Sequence, residues 1–416
     1  MTRWHYFRFL LRYLSLLVRR NRTLGGTVAD MARQRGAAVF CLFKDREISF
    51  ADFNRAANHR ANALRATGVD QGLVVGLLMD NSPEFLLTLT ALAKLGAVTA
   101  LLNTNVRGRA LEHCLRISGA SRVVVDEGNL PTLLSALPQV PQLLAEEVYL
   151  DDPNVGASLP EGVQSLQSLL ALTNDHDPPE VPLTSQDVLC YVYTSGTTGL
   201  PKAARITHYR WYAAGLALGF YGMQLDESDT VYCPLPLYHS NGSVVAFGSA
   251  MVTGCRLALS PGFSVSGFWR EVHQYAATRI VYIGEILRYL VNTAPQSEER
   301  GHRVTHILGN GLRPDIWQTI IERFGVPVIR EFYASTEGNA VTLNVNGVPG
   351  SVGKAILRTS DNTLLARYDV ETGEYERDAQ GRNVPCQPGE TGELLGQVKF
   401  TTPFHGYTNL AETEEK

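Results

Sequence analysis

The sequence predicts an α/β protein: two doubly wound βαβ subdomains followed by a small β-barrel-like unit. Three observations carry this prediction. Short apolar runs of strand length alternate with stretches of helical periodicity, roughly every 25 residues in the first part of the chain. The alternation is interrupted once, by a proline-rich stretch, and then resumes. After Asn339 the texture changes to short runs with many Gly, Pro and Thr, which suits a compact β unit.

Residues 1–22 stand apart from all of this. They hold Arg3, Arg8, Arg12, Arg19, Arg20 and Arg22, no acidic residue precedes Asp30, and the positions between are largely aromatic or aliphatic. On a helix, His5, Arg8, Arg12, Ser15 and Arg19 recur at steps of three and four, which makes one polar stripe in an otherwise apolar surface. A spanning helix would place Arg8 and Arg12 in the bilayer at about 2.5–3.5 kcal/mol each near its centre. A secretory signal does not fit either, because arginines interrupt the apolar stretch and no small-residue cleavage site follows. Two readings stay open. The helix lies in the plane of an anionic membrane surface, or it docks on its own domain or on a partner chain. The expected location is cytoplasmic, on the cytoplasmic face of a membrane if the first reading holds.

Residues 23–187 read as the first α/β subdomain with its linker. Runs 73–79, 98–102 and 122–126 have the look of buried parallel strands, with helical spacing over 83–94 and 107–118 between them. From 131 to 187 prolines break any long element, which predicts a connector with one short helix near 163–172. Residues 188–339 read as the second subdomain. Its predicted strands are 188–193, 230–233, 256–259, 279–283, 306–309 and 328–332, with helices such as 268–276 and 315–324. Residues 340–416 form the predicted β-rich unit.

Bulk composition narrows the function classes. Apolar content of 44% with 19% charged residues is that of an ordinary soluble globular protein. A net charge of −4 gives no reason to expect a nucleic-acid partner. The six cysteines, Cys41, Cys114, Cys190, Cys233, Cys255 and Cys386, lack CxxC spacing, which predicts reduced thiols in cores rather than a metal site or a disulfide framework.

Two segments carry chemistry. Tyr193-Thr194-Ser195-Gly196-Thr197-Thr198-Gly199-Leu200-Pro201-Lys202 directly follows an apolar strand. Glycines let a backbone turn tightly and present amides to phosphate oxygens. The hydroxyls of Thr194, Ser195, Thr197 and Thr198 add donors, and Lys202 supplies a mobile point charge. The loop suits a polyphosphate but is not a Walker A loop, since Lys202 follows Pro201 and precedes Ala203. Gly309-Asn310-Gly311-Leu312-Arg313-Pro314 is not a dinucleotide fingerprint, because Pro314 replaces the third glycine. The second segment, Glu331 to Asn339, ends another apolar strand. Tyr333 offers a flat face for a base, Thr336 a hydroxyl, and Glu337 a hard oxygen ligand for Mg²⁺. Ligands of open α/β sheets bind beyond the carboxyl ends of strands, so both loops could face one crevice.

The stretch YTSGTTGLPKAARITH, followed in order by LPLYHSNG, LGNGLRP and FYASTEGN, resembles the adenylate-forming superfamily of acyl-CoA synthetases and luciferases. MDNSPEFLLTLTALAKLGAVTALLNTNVRGRALEHCL and VYIGEILRYL are similar to its fatty-acid transport protein and very-long-chain acyl-CoA synthetase branch. The resemblance implies the large N-terminal domain of such an enzyme. ATP, Mg²⁺ and a fatty acid would bind here, with coenzyme A as co-substrate. It implies that Thr194 to Lys202 bind ATP phosphates, with Ser195, Gly196, Thr197, Thr198 and Gly199 among them. Tyr333 would stack on adenine, Gly309, Asn310, Gly311 and Leu312 would line the base and acyl pocket, and Thr336 would contact phosphate while Glu337 holds Mg²⁺. His239 would sit beside the carboxylate and the α-phosphate, and Tyr282, Ile283 and Gly284 along the acyl tunnel. Lys202, His239, Thr336 and Glu337 are thus the expected catalytic set.

Members of that family continue well beyond the position matching Lys416, into a small mobile domain with a further lysine. The expectation is therefore a truncated large domain that binds ATP and turns over poorly. Two other readings remain: a CoA ligase for another acid (carnitine-like, bile or aromatic), and a non-catalytic fatty-acid uptake or lipid-handling protein that retains the fold.

Overall fold

A strand that is apolar at every position must be buried on both faces, and the strands around residues 74–126 are so buried in a computed structural model of the chain. The structure describes residues 3–18, 21–152, 159–194, 199–356, 362–399 and 402–414. In chain order the first strands are β1 (Val39–Phe43), β2 (Arg46–Ser49), β3 (Val74–Leu78), β4 (Val98–Leu101), β5 (Arg122–Asp126), β6 (Val148–Asp151), β7 (Gln164–Ser165) and β8 (Val188–Thr194). Then come β9 (Lys202–Thr207), β10 (Thr230–Cys233), β11 (Arg256–Leu259), β12 (Arg279–Ile283), β13 (His306–Asn310), β14 (Val328–Ala334), β15 (Val341–Asn344) and β16 (Lys354–Ala355).

They form two sheets. One has seven strands in the order β7-β6-β5-β3-β4-β8-β9, parallel except that β9 runs antiparallel to β8. The other has nine, β16-β15-β14-β13-β12-β10-β11-β1-β2, with a parallel centre and antiparallel edges. Strand order reverses at β3 in the first sheet and at β10 in the second, which is the doubly wound arrangement the alternation predicts.

The pairing corrects the expected boundary between residues 187 and 188. β8 extends the first sheet, with Cys190 opposite Thr99 of β4, and β9 forms its edge. β1, from the start of the chain, completes the second sheet beside β11. Proline content marks a loop, whereas sheet membership follows from which strand faces can be buried together. The stretch 131–187 is likewise more structured than a connector. It contributes β6 and β7 to the first sheet as well as the helix Leu166–Ala171 near the predicted position. Of residues 340–416, β15 and β16 join the second sheet. Thr363–Ala366 pairs with Glu393–Gly396 and Tyr368–Asp369 with Glu374–Tyr375, so among the described residues the barrel-like unit is two two-stranded sheets.

Side chains alternate across a strand, and here the alternation separates two cores. Val75, Leu77, Leu101 and Val124 face a core continuous with Val231, Leu257 and Val281 of the second sheet. Leu78, Ala100, Leu102, Val123 and Val125 face a smaller one beneath the helices Arg109–Ser118 and Leu130–Ala136. The layer between the sheets holds the helices Phe50–Ala66, Pro83–Leu95, His208–Leu216 and Phe247–Thr253. Cys41, Cys114, Cys190, Cys233 and Cys255 are buried free thiols that burial pushes up to about 12, so they pack as small apolar groups.

The helix Arg3–Val18 docks on its own domain. Phe9 and Leu16 are buried, and Tyr6 and Phe9 meet the Tyr221 ring at 5.7 and 6.0 Å. Arg8 and Arg12, part of the predicted polar stripe, turn toward the protein, their guanidinium groups 4.9 and 5.2 Å from the Phe220 ring centre. A guanidinium on an aromatic face keeps its charge while covering apolar surface. Phe7, Leu11, Leu14 and Val18 form an exposed stripe on the same helix. Arg19, at the end of the predicted polar stripe, and Arg20 lie outside the described residues. Among the described residues no helix is long and apolar enough to cross a membrane.

Candidate functional site

The first loop begins where β8 ends, at Thr194. Ser195, Gly196, Thr197 and Thr198 lie outside the described residues. Gly199 turns the chain back at φ +89°, a conformation that L side chains rarely adopt. Lys202 is not a mobile loop charge: it opens β9, pairs with Thr194 across the antiparallel ladder, and is only 8% exposed. A late segment of the chain covers it. The Arg205 amide donates to Gly406 O at 3.0 Å and the Thr408 amide to Ala203 O at 2.9 Å. These bonds place the Tyr407 ring 5.6 Å from the Lys202 Nζ.

The second loop follows β14. Tyr333 is 43% exposed at the strand end, while Glu337, four residues on, is buried. The Tyr407 hydroxyl lies within hydrogen-bonding reach of both Glu337 and Thr194, and burial together with the Glu337 carboxylate raises it to about 12. Thr194, Lys202 and Glu337 therefore gather around one aromatic ring, although their parent strands belong to different sheets.

Arg210 fixes the second loop. Its guanidinium donates to Glu337 O at 3.0 Å, to Ser335 O at 3.1 Å, and to Gly338 O. Thr207 caps the helix that carries it, accepting from the Arg210 amide at 3.2 Å. Burial pulls the guanidinium down to about 10, opposed by the Glu337 charge, so it remains a cation at neutral pH.

His239 follows β10, in a turn that Asn81 holds from the first sheet. The Asn81 side chain donates to Leu235 O at 2.9 Å and Ser260 O at 3.1 Å, and accepts from the Leu237 amide at 2.8 Å. Burial lowers the His239 imidazole, keeping it neutral near pH 7. It lines a cavity of about 400 Å³, within the range of small-molecule sites. Its lining includes the polar groups of His239, Asn310, Thr336, Asn339 and His405. Arg210, Ser240, Asn241 and Thr402 add further polar groups, and Ala213, Ala214 and Ala217 lie in or just after the helix that follows β9. Their small side chains leave the space open. The same helix approaches Phe247–Thr253 closely, since a Cβ on Gly215 would stand 2.7 Å from Gly248 O.

The remaining predicted residues are placed unevenly. Asn310 lines the cavity and accepts from the Asn241 amide at 2.8 Å. Tyr282 does not line it. That side chain is fully buried, its hydroxyl donating to Glu331 Oε1 at 2.7 Å. Glu331, raised by burial, also accepts from the Leu312 amide at 3.2 and 3.1 Å and so clasps the loop after β13. Gly309, Gly311, Leu312, Ile283 and Gly284, expected along the base and acyl pocket, are likewise absent from the cavity lining. A Cβ on Gly284 would fall 1.8 Å from Gly311 O, so only glycine allows these two turns to touch.

Arg210, Asn81 and Tyr407 escaped the sequence reading. The single available signal was Arg210, an isolated charge in the otherwise uncharged helix HYRWYAAGL, three residues beyond a Thr cap.

Two doubly wound sheets whose loops meet at Tyr407 make up the α/β domain, and the chain belongs to the AMP-binding enzyme family, whose profile matches residues 28–407. It is 38% identical over 403 residues to the medium/long-chain-fatty-acid–CoA ligase FadD6 of Mycobacterium tuberculosis, covering 96% of this chain and 65% of that protein. It is also 38% identical over 405 residues to the long-chain fatty acid transport protein 2 of Rattus norvegicus, covering 95% and 64%. The chain thus spans about 65% of the length of these curated relatives. In fold it is similar to the anthranilate CoA ligase AuaEII in complex with anthranoyl-AMP, with a TM-score of 0.82 at 23% identity, covering 95% of this chain and 73% of that one. The N-terminal domain of FACL13 from Mycobacterium tuberculosis gives a TM-score of 0.74 at 22% identity, covering 95% and 93%.

Proposed function

We propose that this chain is the nucleotide- and acyl-binding portion of a ligase that activates a long- or very-long-chain fatty acid as its acyl-adenylate, for transfer to coenzyme A. One observation carries the reading: Thr194, Lys202 and Glu337 gather around Tyr407, and His239 and Thr336 line a largely apolar cavity. The names of the two relatives, a fatty-acid–CoA ligase and a fatty acid transport protein, support the same substrate class.

In this reading the fatty acid's carboxylate oxygen attacks the α-phosphorus of ATP, and the bond to the β-phosphate oxygen breaks. Negative charge collects on the departing pyrophosphate, where Lys202 and the loop from Thr194 to Gly199 meet it. The thiolate of coenzyme A then attacks the acyl carbon and AMP leaves. Tyr333 offers its exposed ring to adenine. The neutral His239 donates one N–H to carboxylate or phosphate oxygen without adding charge. A magnesium ion would be held by Glu337 with the hydroxyls of Thr194 and Thr336 nearby, which suits a cation that takes one or two carboxylates plus substrate phosphates. When bound it would neutralise phosphate charge. The exposed stripe Phe7, Leu11, Leu14 and Val18 favours the membrane-surface contact expected for residues 1–22.

Titration with MgATP tests the core of the reading. Binding is expected, and an acyl-AMP analogue should compete with it. Lys202→Ala and Glu337→Ala should each weaken it by roughly 10- to 100-fold, the loss of one charge-assisted contact of about 1.5–3 kcal/mol. Unchanged MgATP affinity in both variants refutes the assignment. On the complete enzyme, a panel of acids in a pyrophosphate-release assay separates aliphatic from aromatic, bile or carnitine-like substrates.

A further inference from the structure

The helix Arg3–Val18 has two faces with different surroundings. Phe7, Leu11, Leu14 and Val18 look outward. Phe9 and Tyr13, on the other side, line the cavity that also holds His239. Phe9 is 1% exposed and packs on Tyr221, and Tyr13 interacts with Tyr209, which belongs to the cavity wall as well. The same cavity is lined by Ala213, Ala214 and Ala217, three methyl-sized side chains in or just after the helix that begins at His208. Alanines leave room where larger side chains would fill it, and the two rings of the N-terminal helix border the same space as part of its wall.

That wall is anchored at both ends. Arg8 and Arg12 rest on Phe220, and Arg22 lies 5.9 Å from the Tyr212 ring centre. Phe220 and Tyr212 flank the alanine face along the same stretch of chain, so the N-terminal helix is strapped lengthwise over the segment that shapes the cavity. From Arg210, which holds the Glu337 loop, to Ala217 the helix advances seven residues, about 10 Å at helical rise. An acyl chain whose carboxylate sits by His239 and Thr336 shares its cavity with Phe9 and Tyr13 as well as the alanines.

We infer that the N-terminal helix is the specificity wall of the acyl site: Phe9 and Tyr13 set how long an acyl tail the cavity takes. The inference rests on the fatty-acid reading above and assigns a task to residues that lie before the matched family region. Shortening the ring side chain at residue 9 removes apolar contact from short tails and opens volume for long ones. Enlarging it does the reverse.

The experiment measures displacement of a fluorescent fatty acid from the full chain by saturated acids of 8 to 24 carbons (about that range), alongside MgATP titration. Phe9→Ala should move the best-binding acid at least two carbons longer (roughly, at about tenfold per two buried CH₂ groups). Phe9→Trp, which keeps the helix anchored, should move it shorter. MgATP affinity should be unchanged in both. If acids still bind but the optimum stays in place in both variants, the wall assignment is overturned and the fatty-acid reading stands. If the unmodified chain binds MgATP and no acid displaces the probe, the fatty-acid reading fails and takes the wall with it.

Discussion

Arg210→Met removes a side chain that ties the Ser335–Gly338 loop to the helix behind it. Methionine keeps the length and the helix propensity of the site but offers no donor. Three carbonyls, of Ser335, Glu337 and Gly338, lose a charged partner at once. A hydrogen bond to a charged group is worth about 1.5–3 kcal/mol net. One guanidinium makes all three, and water reaches part of the site, so the sum is not three times that figure. A loss of about 2–3 kcal/mol of loop order is the reasonable value. At 1.4 kcal/mol per decade, MgATP binding should weaken roughly 30- to 100-fold. Arg210→Lys should recover only part of this, since one ammonium cannot fork across three divergent carbonyls. Calorimetric titration gives the affinity, and hydrogen exchange of the amides at 335–338 reports the loop directly. A folded Arg210→Met chain with unchanged MgATP affinity and unchanged exchange would refute the reasoning.

Two further outcomes are expected. Stability should fall between pH 6.5 and about 4 because of His208. The Leu24 amide donates to its Nδ1 at 3.1 Å, and burial holds the ring down at about 4 against an ordinary 6.5. In that window the unfolded chain takes up a proton that the native chain refuses, so stability is present above 6.5 and lost as pH falls. The difference, 6.5 − 4 = 2.5 pH units, corresponds to about 3 kcal/mol. Urea midpoints should therefore drop more steeply with acid in the unmodified chain than in His208→Asn, and parallel curves would count against it. Co-sedimentation with anionic vesicles should fall at least about fivefold in Phe7→Ser/Leu11→Ser, by about 1 kcal/mol of lost apolar contact, with little change for neutral vesicles. Equal sedimentation of both proteins would remove the membrane reading.

The parallel strands were legible because burial on both faces leaves an unmistakable apolar run: β3, β5, β10, β11 and β12 lie within a residue of where their sequences place them. β9 was not, because KAARIT carries two charges in six residues and earns its place only by pairing with β8. β6 and β7 are short and set among prolines. At the site, the loop rich in glycine and hydroxyls announces itself by composition, and its meeting with the Glu337 loop was expected because both follow the carboxyl ends of strands. The cavity was invisible for a different reason. Phe9, Ala213, His239, Phe332 and His405 come from five separate parts of the chain, and no spacing rule connects them. Tyr282 misled because a tyrosine at a strand end reads the same whether its hydroxyl faces a ligand or a buried glutamate.

β8 carries Thr194 in one sheet, and β14 leads to Glu337 from the other. The proposed phosphate site is thus a seam, with Asn81, Arg210 and Tyr407 as its stitches. Volume changes among the helices sandwiched in the middle layer would shear that seam while leaving every group in it chemically intact. Affinity for nucleotide should consequently respond to remote core substitutions, such as a side chain added at Gly215 against Gly248, well before the protein begins to unfold.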